Sequence, residues 1–60
     1  MSGMILAIVT THPDMVAGGA PIFRVPDAEE LQKLAFSLEK ILDASAHDLR
    51  NGSVIIVKHR

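Results

Sequence analysis

His12 and Asp14 stand two residues apart, and Gly18 and Gly19 follow in the same irregular stretch, THPDMVAGGAP. An imidazole titrates near neutrality, so His12 is suited to carry a proton and Asp14 to orient it. Adjacent glycines let backbone N–H groups approach an anion or small ligand and hold negative charge there. Two functional readings follow. One is acid/base chemistry by His12 and Asp14 in a site shared between subunits. The other is contact with a small ligand or a protein through His12, Gly18 and Gly19. An architectural reading stands beside them, because Pro13 followed by Asp14 opens a turn and a glycine pair lets a long connection fold back. The glycine spacing fits neither a dinucleotide fingerprint nor a P-loop. At about eleven residues the stretch is long for a link between strands, which favours function. Met15, Val16 and Ala17 are apolar enough to pack against another subunit.

The other chemistry-bearing residues are scattered. His47, His59 and Asp48 add metal-ligand types suited to zinc or nickel, but no pair has a local ligand spacing such as His-x-x-x-His. No metal and no cofactor is therefore expected, and His47 and His59 read as surface or strand-end histidines. There is no Cys and no G-x-S-x-G elbow. Thr10 and Thr11 lie beside His12, which completes a list of Thr, His and Asp without a geometry. So small a domain rarely encloses a substrate pocket. Binding is accordingly placed ahead of catalysis.

The elements that must position these residues can be read from patterning. Residues 4–10, MILAIVT, form a continuous apolar run of the kind found in strands buried on both faces. Residues 22–25 read as a short strand between Pro21 and Pro26, an arrangement that suits an edge. Residues 28–44 read as a helix with Asp27 as N-cap and Glu30 three residues on. Leu31, Leu34, Ala35, Leu38, Ile41 and Leu42 make one apolar stripe along it. Asn51 and Gly52 predict a type I′ hairpin turn between strands at residues 46–50 and Ser53–His59. The order β-β-α-β-β predicts one small α+β domain over residues 1–60, a mainly antiparallel sheet with one helix packed on one face.

Sixty residues bury only about 60% of the surface they expose when unfolded, so such a core needs support. Disulfides are excluded by the absence of Cys. In the first and last strands, apolar residues alternate to both sides: Ile5, Ala7 and Val9 against Leu6 and Ile8, and Val54 and Ile56 against Ile55 and Val57. One helix covers one face, so a homo-oligomer is expected to cover the other. A net charge of −1 and only two aromatic residues argue against nucleic acid as a partner. No apolar run is long enough to span a membrane, and no basic segment precedes the first run, so a cytoplasmic location is expected. The combined expectation is a homo-oligomeric binding or accessory module that contacts a small ligand or protein partner through the loop 12–20. The rivals are the shared-site enzyme and a regulatory protein that binds a macromolecule by its sheet edge.

Overall fold

The computed structural model describes residues 3–59. Its elements are β1 (Gly3–Thr10), a 3-10 turn (Pro13–Met15), β2 (Ile22–Arg24), α1 (Ala28–Leu42), β3 (Ser45–Asp48) and β4 (Ser53–His59). The strands form one sheet in the order β2-β1-β4-β3. β4 pairs antiparallel with both β1 and β3, while β1 and β2 run parallel. The chain is thus α+β with the expected element order. The two apolar strands take the centre, and the proline-flanked β2 takes an edge. Among the described residues, no helix is long and apolar enough to cross a membrane.

The parallel pairing accounts for the long connection after β1. A tight turn reaches only an antiparallel neighbour; a parallel one requires the chain to return to the strand's starting end, usually over a dozen or so residues. Residues 11–21 make that return without an α-helix, using only the short 3-10 turn at Pro13–Met15. The length of this segment is therefore a demand of topology before it is a sign of function.

α1 begins where Asp27 accepts a hydrogen bond from the Glu30 N–H (2.9 Å). Leu31, Ala35 and Leu38 are buried against Ala7, Val9, Val54 and Ile56, with Leu34 and Leu42 at the margin. Each Val- or Ile-sized side chain enclosed this way contributes about 1.5–3 kcal/mol. Ile41, expected in the stripe, is instead 74% exposed. At 3.6 residues per turn it lies about 80° from the stripe's centre, the farthest of the six apolar positions. The helix stops at Leu42 rather than residue 44 because Asp43 turns left-handed (φ 53°, ψ 55°). Lys58, reaching over from β4, donates to the Asp43 carbonyl (2.9 Å) and sets a positive charge at the negative end of the helix.

Two further expectations are corrected. Ile5 and Ala7 do not share a face. Ile5 pairs with Val57 and Ala7 with Ile56, so a bulge at Leu6 switches the alternation and leaves Ile5 with Ile8 on the side away from α1. The β3–β4 turn is also not a two-residue type I′ turn. Positive φ falls on Arg50 (63°) and Gly52 (88°), and β3 ends at Asp48 rather than Arg50. Local side-chain bonds win here: Asp48 Oδ1 accepts from the Arg50 N–H (2.8 Å) and Asn51 Oδ1 from the Ser53 N–H (3.1 Å). On the free side of β3, the Ala46 N–H donates to Glu39 Oε2 (2.9 Å).

Candidate binding groove on the open face

The face of the sheet away from α1 carries Ile8, Thr10, Ser53, Ile55 and Val57 on the central strands, as the pairing register dictates. The returning loop lies over one end of this face. Beneath it, Thr10 Oγ1 and Ser53 Oγ share a hydrogen bond (2.8 Å), and Thr10 Oγ1 also accepts from the His12 N–H (2.9 Å). Thr10 is fully buried, so its hydroxyl anchors the loop and is not free to act as a nucleophile. The loop is stitched to the β3–β4 turn as well, by the Thr11 N–H to the Gly52 carbonyl (2.8 Å). Gly52 is required there. A Cβ on it would stand 2.6 Å from His12 Cδ2 and 2.7 Å from Thr11 Oγ1.

Between loop and sheet runs an open groove of about 230 Å³. Its floor is Ile8 and Ile55 with the Ser53 hydroxyl; His12, Met15 and Val16 form one wall and Leu49 stands on another. Met15 is 76% and Leu49 49% exposed, which is unusual for side chains of this size beside an apolar floor.

The residues singled out from sequence are divided by this geometry. His12 lines the groove with its ring against Gly52, whereas Asp14, Gly18 and Gly19 lie outside its lining. Asp14 is exposed in the 3-10 turn. Gly18 (φ 140°) and Gly19 face open space, with nothing within 4 Å of where a Cβ would sit. Leu49, Ile55 and Ser53 join the site without having been anticipated. The signal for Ile55 was present in the unbroken apolar run of β4, but it needed the strand register to be placed.

The three histidines do not converge. His12 follows the end of β1 that pairs with the start of β4, while His59 ends β4 at the opposite side of the sheet. His47 and His59 do meet on the open face, with Nε2 atoms 3.5 Å apart and rings edge-on at 78°. Asp48, on the helix side, has its carboxyl held below the usual range, chiefly by the Arg50 N–H bond and then by the Gln32 side-chain amide (3.0 Å). Among the described residues, no group of three or more His, Asp or Glu side chains is gathered as a metal site.

Comparison with known proteins places the chain. The family described as "Capping complex subunit for YIEGIA" matches residues 2–59, and the chain belongs to it. The chain is also similar to the uncharacterized protein YpzH of Bacillus subtilis (strain 168), at 42% identity over 59 residues, covering 98% of this chain and 92% of that protein. No solved structure matches.

Proposed function

We propose that this chain is a protein-binding subunit of the complex that caps YIEGIA, and that it holds its protein partner in the groove on the open face. The family supplies the kind of role: a subunit in a complex. The observation that carries the site is the exposed Met15 and Leu49 beside the apolar floor of Ile8 and Ile55. A partner side chain entering there would cover apolar surface that the single chain leaves wet. In this reading the loop 12–20 is the contact segment. His12 supplies a polar ring to one wall, and Gly18 and Gly19 offer exposed backbone N–H groups to the same partner. Binding is favoured over acid/base chemistry because Asp14 lies outside the groove that His12 lines. Self-association through this face is the homo-oligomeric version of the same contact.

The test is co-purification of this chain with YIEGIA, comparing the unaltered chain with Met15→Asp and Leu49→Asp. Both positions are exposed, so the fold should survive with stability changes within about 0.5 kcal/mol, checked by circular dichroism. The unaltered chain should be retained and each variant should lose retention at least about tenfold. Full retention of both folded variants, or no retention of the unaltered chain, would defeat this placement. A concentration-dependent dimer in sedimentation that both variants dissolve would assign the face to a second copy.

A further inference from the structure

Next to the groove on the open face, His47 on β3 sits directly across from Ile55 and is brought together with His59, which lies toward the far end of β4. Their ring centroids are 5.6 Å apart but their Nε2 atoms only 3.5 Å, so the two nitrogens are turned toward each other. The register puts Val57 between them on the same face, and it is just 8% exposed. The ring of His59 also stands close to Gly3 across the β1–β4 pair. Both imidazoles are thus backed by strand and apolar surface and remain open to solvent on the outer side.

The separation is informative. A nitrogen-to-nitrogen hydrogen bond is best near 3 Å and has faded by about 3.6 Å, so 3.5 Å is a poor one. Two imidazole nitrogens bound to a tetrahedral zinc at about 2.0–2.1 Å stand roughly 3.3–3.4 Å apart. The pair therefore needs to close by only about 0.1–0.2 Å to act as a chelate. We propose that His47 and His59 form a two-histidine site for a tetrahedral transition-metal dication of the zinc class. Imidazole suits zinc, nickel and copper over magnesium and calcium, which demand oxygen donors. Among the described residues, neither ring is hydrogen-bonded to a carboxylate. The two remaining metal positions are filled by water, which makes this an open site rather than a structural staple. The proposal rests on the histidine pair alone and is independent of the groove reading.

The test is isothermal titration of the full chain with zinc ion, beside His47→Ala, His59→Ala and His12→Ala, each checked for its fold by circular dichroism. The unaltered chain should take up one zinc per chain with saturation. His47→Ala and His59→Ala should each weaken uptake by more than the roughly tenfold lost when a mere supporting contact of a metal site is removed. His12→Ala, at the far end of the sheet, should titrate like the unaltered chain. Absence of saturable uptake at millimolar zinc would overturn the proposal and leave the pair as cover for Val57. Equal uptake by all three variants would overturn it as well. Nuclear magnetic resonance supplies a second readout: substoichiometric copper ion should first broaden the amide signals around Ser45, His47, Val57 and His59, and broadening centred on His12 instead would sink the assignment.

Discussion

On the helix side of the sheet, Val9, Val54 and Ile56 are shut off from solvent beneath Leu31, Ala35 and Leu38. On the other side, residues from the same two central strands are covered by a loop at one end, while Ile5 stays 48% exposed. The alternation of β1 and β4 supplies both faces with apolar side chains, so hydrophobicity does not distinguish them. What distinguishes them is the covering element. α1 brings a regular stripe that interdigitates with the sheet. The loop brings Met15, Val16 and a histidine, and leaves a groove. A closed core and an open groove are thus made from neighbouring residues of one strand.

The largest effect that would test this contrast is on the helix side. Ile56→Ala should cost about 2–5 kcal/mol, measured by urea denaturation. At roughly 0.05–0.15 kcal/mol per residue, a chain of this length has about 3–9 kcal/mol to lose, so the variant should be largely unfolded or close to it. A small loss would mean that the two faces are energetically alike. An intermediate effect is expected where the loop meets the β3–β4 turn. Gly52→Ala forces a side chain into positive φ and into His12 and Thr11, for roughly 1–3 kcal/mol, and should shift the His12 ring resonances. Unchanged His12 signals would separate the groove wall from the turn. The smallest effect concerns Asp48, whose native carboxyl is held below its ordinary range. A depressed carboxyl stabilises the fold above its unfolded value, and that contribution fades as pH falls through the native one. Asp48→Ala should therefore lower the denaturation midpoint slightly at neutral pH and remove a little of the acid sensitivity. Parallel acid profiles for variant and unaltered chain would dismiss the role.

Much of the helix side was legible in the sequence. The spacing of Leu31, Ala35 and Leu38, the cap at Asp27 and the apolar runs of β1 and β4 are local patterns with local causes. The open face was not. Its makeup depends on the bulge at Leu6, which no alternation rule anticipates, and on the parallel pairing of β1 with β2, which is a tertiary choice. His12 was visible as a loop residue, but its neighbours Leu49 and Ile55 arrive from the far end of the chain. The meeting of His47 and His59 was hidden for the same reason, since twelve positions of sequence become a contact only once the hairpin register is known. The turn at residues 49–52 was read as too simple because Asp48 and Asn51 each bind the backbone two residues on.

Glu39 adds something different. By taking up the Ala46 N–H, its carboxylate occupies a backbone donor at the one edge of the sheet that lacks flanking prolines. An incoming strand would have to displace that side chain before it could add to β3. A partner docking on β3 by strand addition would therefore compete with Glu39 for the Ala46 N–H.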